Sequence, residues 1–191
     1  MKKINLILIT LFAIIGALLI YNYFDKNDYN KTNNNIKINN EYTLLNESVF
    51  INKSIDQINK VFNNENGIIF LCIKENEWCN YYAKNLNDIA VENNINEIYY
   101  LNIKQDRQYN TNEYRKLVNN IEEYLLKDDE NNKKIFVPTV IFIKNGKIIG
   151  YDNETSIMLE NISPSEYYDK NKLNNFKNKI LEFILKYKEE L

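Results

Sequence analysis

The stretch Gly67-Ile-Ile-Phe-Leu-Cys-Ile-Lys-Glu-Asn-Glu-Trp-Cys79, continuing through Asn80-Tyr-Tyr-Ala-Lys-Asn-Leu-Asn-Asp-Ile-Ala90, decides how the chain is read. Ile68 to Ile73 is an unbroken apolar run, too short for most helices, and predicts a strand buried on both faces. Polar residues then turn the chain. From Trp78 the apolar period changes: Tyr82, Ala83, Leu86, Ile89 and Ala90 recur at helical spacing. A buried strand therefore runs, through a turn carrying Trp78 and Cys79, into an amphipathic helix.

The flanking segments repeat this alternation. Before the stretch, Tyr42, Leu44, Val49 and Phe50 predict a first strand within Glu41 to Ile51. Ser54 is a good N-cap for a helix carrying Ile55, Ile58, Val61 and Phe62, which ends near Asn63-Asn64. After it, Glu97 to Ile103 is rich in β-formers. Thr111 or Asn112 starts a helix with Tyr114, Leu117, Val118, Ile121, Tyr124 and Leu125, followed by a loop over Lys127 to Asn132. Ile135 to Ile143 predicts a strand, Asn145-Gly146 a type I′ hairpin turn, and Lys147 to Tyr151 the returning strand. A loop to about Pro164 leads to a last helix whose stripe is Leu173, Phe176, Ile180, Phe183, Ile184 and Tyr187. The order β-α-β-α-β-α-β-β-α predicts an α/β fold, a central mixed sheet flanked by helices.

Composition removes several function classes. The formal net charge is −2, so no nucleic-acid footprint is visible. The chain has no His, which excludes Cys-His and Ser-His catalytic pairs and leaves no expectation of zinc. Asp128-Asp129-Glu130 reads as a solvated acidic loop rather than a metal site, and nothing calls for a cofactor. The abundance of Asn, Lys, Ile and Tyr beside scarce Gly and Pro is what AT-rich codons produce.

The first forty residues read as a separate device. Lys2-Lys3 precede an apolar run from Leu6 to Tyr21. Residues 1–24 are therefore expected to be a transmembrane anchor with its N-terminus in the cytoplasm. The alternative is a cleaved signal peptide and a secreted domain. Residues 25–40 are polar and Asn-rich, a flexible tether. The domain proper, 41–191, would lie outside the membrane.

Two motifs carry a family resemblance. Trp78-Cys79 heads the central helix, and Val137-Pro138-Thr139 opens the hairpin strand. Both resemble thioredoxin-like proteins, whose Trp-Cys-x-x-Cys turn faces a cis-Pro. With Cys79 on the second, resolving position, Ala83, Leu86 and Asn87-Asp-Ile-Ala90 fall where thioredoxins have Ala, Leu and Asp-Glu-Ile-Ala. With Cys79 on the first position, Asn87 would fall on the helix's usual Pro. Asn76-Glu-Trp-Cys79 is thus read as the Cys-x-x-Cys slot with Asn76 replacing the nucleophile. Within the superfamily the chain is most similar to the bacteriocin transport accessory group of low-GC bacteria. Ile98-Tyr-Tyr-Leu-Asn-Ile103 resembles that group's Tyr-Tyr-Leu-Asp-Ile, the Lys104 to Lys134 segment is long, and the hairpin leads through a loop at Thr155 to a long last helix. The resemblance covers about Tyr42 to Leu185. It implies a thioredoxin fold with a cis bond at Val137–Pro138.

The resemblance also implies lost chemistry. Asn76 cannot become a nucleophile, and the buried carboxylate of thioredoxins falls at Phe70. Cys79 remains a residual thiol near a helix N-terminus, where the dipole favours thiolate. Cys72, in phase with Ile68 and Phe70, reads as core. A Cys72–Cys79 disulfide is not expected: one residue is placed mid-strand, the other beyond the turn, so their Cα atoms should exceed about 7 Å. The expected function is binding, with Asn76, Trp78, Val137, Pro138 and Thr139 gripping an extended peptide or protein partner. By resemblance that partner is an exported peptide or its transporter. The alternatives are an oxidoreductase that uses Cys79 as a lone thiol, and a purely structural envelope protein.

Overall fold

The computed structural model describes residues 48–154 and 162–189. Gly67–Cys72 forms strand β2, and all six of its residues are buried, as an apolar run covered on both faces should be. The other strands are β1 (Phe50–Asn52), β3 (Ile98–Asn102), β4 (Thr139–Lys144) and β5 (Lys147–Asp152). They form one mixed sheet in the order β1-β3-β2-β4-β5. β1, β3 and β2 run parallel, β4 pairs antiparallel with β2, and β5 pairs antiparallel with β4.

Among the described residues six α-helices accompany the sheet: α1 (Ile55–Val61), α2 (Glu77–Glu92), α3 (Lys104–Tyr109), α4 (Asn112–Asn120), α5 (Pro164–Tyr167) and α6 (Lys170–Lys188). α1 packs with α4, and α2 with α6. Strand alternation separates the two pairs. A Cβ on Gly67 would meet Val61 of α1 and the Tyr99 ring, so the Gly67, Ile69, Leu71 side of β2 faces α1. Phe70 stacks on Tyr82 of α2, and Phe142, one strand over, meets Phe183 and Tyr187 of α6. α6 lies so close to the hairpin that a Cβ on Gly150 would stand 2.5 Å from the Phe183 ring.

Local chemistry sets the element ends. Ser54 and Gln57 close a capping box at the head of α1. The five described non-glycine residues with positive φ are all asparagines: Asn64, Asn94, Asn110, Asn131 and Asn145. Asn is the L-residue that best tolerates this region, and it stands in here for scarce glycine. Asn145 and Gly146 together give the hairpin turn its two positive φ values, 49° and 72°.

Several expectations need correction. β4 begins at Thr139, not Ile135. Pro138 has no N–H to give to a ladder, and Thr139 Oγ1 donates to the Phe136 carbonyl at 2.5 Å, so residues 135–138 bend instead of pairing. α3 was not expected. Its sequence Lys-Gln-Asp-Arg-Gln-Tyr buries only Asp106, so there is no apolar stripe to find. The helix predicted to reach Leu125 stops at Asn120 and tightens into a 3-10 turn over Glu122–Tyr124. The last helix, expected to run on from about Pro164, is split: α5 is headed by a capping box at Ser163 and Glu166 with a proline in its first turn, and α6 starts anew at Lys170 behind the N-cap Asp169. The predicted membrane anchor, the tether and the first residues of the domain (41–47) lie outside the described residues, as does the loop at Thr155. Among the described residues no helix is long and apolar enough to cross a membrane.

Candidate functional site

The site is built where β2 ends and α2 begins. After Cys72 the chain turns within four residues, closed by the Asn76 N–H donating to the Ile73 carbonyl at 2.9 Å. Asn76 is the N-cap: its backbone is extended, and its Oδ1 accepts from the Cys79 N–H at 3.2 Å. The residue expected to replace the nucleophile is thus a half-exposed amide committed to capping the helix. Glu75 beside it is exposed and pairs with Lys104 at 3.1 Å. A backbone hydrogen bond and then that lysine hold its carboxyl below its ordinary value.

Cys72 and Cys79 form a disulfide, with Cα atoms 5.9 Å apart, and both residues are fully buried. This overturns the expectation that the two could not be bridged. Cys72 is the last residue of β2, not an interior one, and its side chain is on the face that α2 covers. The four-residue turn lays the first turn of α2 back over that strand end. Cys79, at the third helical position, leans toward the helix N-terminus and so toward Cys72. The Ile73 N–H also approaches Cys79 Sγ at 3.4 Å. Cys79 is therefore not a free thiol, and the lone-thiol alternative loses its premise.

The hairpin brings the second motif to the same edge. Thr139 is registered with Leu71, so Pro138 stands level with Cys72, the end of β2. The Val137–Pro138 bond is cis, as the resemblance implies. Thr139 is fully buried and Val137 nearly so. Arg107 of α3 donates toward the Ile135 carbonyl at 3.4 Å, and Lys133 Nζ donates to the Leu125 carbonyl at 2.8 Å. The long segment between β3 and β4 thereby holds the strand entry in place. Asn76 and Val137 to Thr139 thus come from adjacent strand ends. Trp78 is half-exposed, and its ring meets Tyr167 of α5 edge-on at 5.5 Å.

One turn along α2 is a polar network that sequence reasoning missed. Phe70 does occupy the place expected to lack a carboxylate, packed among Phe50, Tyr82 and Tyr100. A buried carboxylate comes instead from the end of β5. Asp152 is 4% exposed, accepts from the Tyr82 hydroxyl at 2.7 Å and pairs with Lys179 of α6 at 2.8 Å. Lys179 also pairs with Glu154, which accepts from the Tyr167 hydroxyl at 2.8 Å. Burial, and then the Asp152 charge, push the Tyr82 phenol well above its ordinary range. Hydrogen bonds from Lys179 and then Tyr167 hold the Glu154 carboxyl low. Burial opposes the Lys179 charge, but its two carboxylate partners outweigh it and raise its pKa. The available signal was a lysine in the apolar stripe of α6, one residue before Ile180.

No protein-family model and no curated protein matches this chain.

No thiol is exposed, and among the described residues no group of three or more Cys, Asp or Glu could hold a metal ion. Asp128 acts as a turn former, its Oδ1 accepting from the backbone N–H groups of Glu130 and Asn132. The turn offers the half-exposed amide of Asn76 and the half-exposed indole of Trp78.

Proposed function

We propose that the chain is a membrane-anchored, extracytoplasmic protein of the thioredoxin fold, similar to bacteriocin transport accessory proteins, that binds an extended peptide or protein partner without turning over disulfides. The strand order, three parallel strands followed by an antiparallel hairpin, is compatible with that fold. Lys2-Lys3 and the Leu6 to Tyr21 run support the anchor. One observation carries the functional reading. The exposed start of α2 bears Asn76, while both of the chain's sulfur nucleophiles are buried and bonded to each other. Disulfide exchange needs an accessible thiolate, and none is present. What remains is a place to grip a chain, with the half-exposed Asn76 and Trp78 as side-chain contacts, the buried Val137 to Thr139 fixing the adjacent strand end, and an exported peptide or its transporter as the partner.

Insulin reduction with a dithiol as electron source tests this. The domain should show no turnover above a Cys79→Ala control. The double change Cys72→Ala with Asn76→Cys should create turnover. It frees Cys79 and puts a thiol where the Asn76 side chain already reaches the Cys79 backbone. Robust turnover by the unmodified domain would overturn the reading.

A further inference from the structure

We propose that the Cys72–Cys79 disulfide is a permanent staple, closed once outside the reducing cytoplasm, that locks the helix of the candidate site onto its strand and does not exchange with partner thiols. The compartment half of this inference rests on the membrane-anchor reading above; the staple half rests on geometry alone.

Three observations carry it. Both cysteines are fully buried, and they are the only two in the chain, so no third thiol is present to open the bond from within. The bond joins residues seven apart across the turn that presents Asn76 and Trp78, so it fixes the angle at which α2 leaves β2. The Cα separation of 5.9 Å lies inside the ordinary disulfide range, so the backbone already accommodates the bridge. Neighbours close the site further: the Ile73 N–H points at Cys79 Sγ, and Asn76 caps the Cys79 N–H. An attacking thiolate must line up with a sulfur, and burial denies it that approach.

Closure is a two-electron step. The Cys72 and Cys79 thiols lose two protons and two electrons and form the S–S bond. A disulfide-bearing oxidant of the compartment, protein-bound or small, takes up both and leaves as two thiols. Such oxidants persist outside the cytoplasm, where glutathione- and thioredoxin-type reductants do not hold thiols reduced.

The test uses the full chain expressed with its own N-terminus in a bacterial host. Cells are quenched in acid, and the chain is alkylated with a polyethylene-glycol maleimide in denaturant. Without reductant the chain should stay unshifted; after denaturation with dithiothreitol it should carry two adducts, one per cysteine. Folded protein held in millimolar dithiothreitol for an hour before quenching should also stay unshifted. Two adducts without reductant would overturn the compartment inference, and prompt reduction of the folded chain would overturn the staple. A Cys72→Ala/Cys79→Ala variant, which keeps a small apolar residue at both positions, should melt about 5–10 °C lower. An unchanged Tm would equally overturn the staple. Alkylation reads the sulfur state without any partner, so a failure of the peptide-binding reading leaves this result untouched.

Discussion

Helix α2 is tied to the rest of the domain twice, by opposite means. At its head, Cys79 is bonded covalently to Cys72, seven residues back, across one tight turn. One turn further, Tyr82 is tied to Asp152, seventy residues on, and through it to Lys179 of α6. The first tie is local, apolar and sealed. The second is long-range, polar and balanced: a buried carboxylate that meets one lysine and one hydroxyl. A covalent link acts mainly by shrinking the unfolded ensemble and needs no partner once formed; for so short a loop its worth is about 2–3 kcal/mol. The polar tie holds only while every member is present, because a buried charge without its counter-charge is strongly unfavourable. The two ties should therefore respond differently to mutation and to pH.

The sharpest contrast comes from Lys179→Met. It leaves Asp152, 4% exposed, without its cation and should lower stability by about 3 kcal/mol in urea unfolding, less than for a fully buried pair because Lys179 itself is part-exposed. Adding Asp152→Val should recover much of that loss. If the single change is neutral, the network is not a tie at all. A smaller effect is expected for Tyr82→Phe, which keeps the stack on Phe70 and the edge contact with Phe176 but removes the hydroxyl from Asp152. Its loss should be about 1.5–2 kcal/mol, the lower part of the range for a hydrogen bond to a charged group. A Tm equal to that of the unmodified domain would mean that the aromatic packing alone holds this part of the helix.

The smallest effect is in pH. Glu154 is held below its ordinary value in the folded state, so the stability it contributes is complete above the unfolded carboxylate pKa, about pH 4, and is lost as pH falls through the lowered value. Melting curves of the unmodified domain and of Glu154→Gln should therefore differ at pH 6 and converge in acid. The disulfide does not titrate, so the corresponding difference between the unmodified domain and the double-alanine variant should persist across the same range. Convergence of both pairs, or of neither, would erase the distinction between the two ties.

Legibility followed the range of the interaction. The buried strand, the stripe Tyr82, Ala83, Leu86, Ile89, Ala90 and the Asn145-Gly146 turn are periodic or local signals, and each appears where it was read. α3 escaped because a polar six-residue helix has no period to detect. The disulfide escaped for a geometric reason. The spacing of Cys72 and Cys79 was plain, but the extended length of seven residues is compatible with many Cα separations. Only the fold-back of the Ile73 to Asn76 turn selects 5.9 Å. Phe70 puts an aromatic ring on β2, and nothing local indicated that β5 would deliver Asp152 to the same face of the sheet.

The amino-acid sequence by itself determined the alternation of strands and helices, the burial of β2, the capping of α1 by Ser54 and the absence of histidine chemistry. These depend on residue type and on periods of two and 3.6. Only the tertiary structure decided that Cys72 meets Cys79, that Tyr82, Asp152 and Lys179 share a charge, and that Trp78 leans on Tyr167 of α5. Those pairings depend on the angle at which a helix leaves a strand and on which distant strand end it then meets, and neither is written in the spacing of residues along the chain.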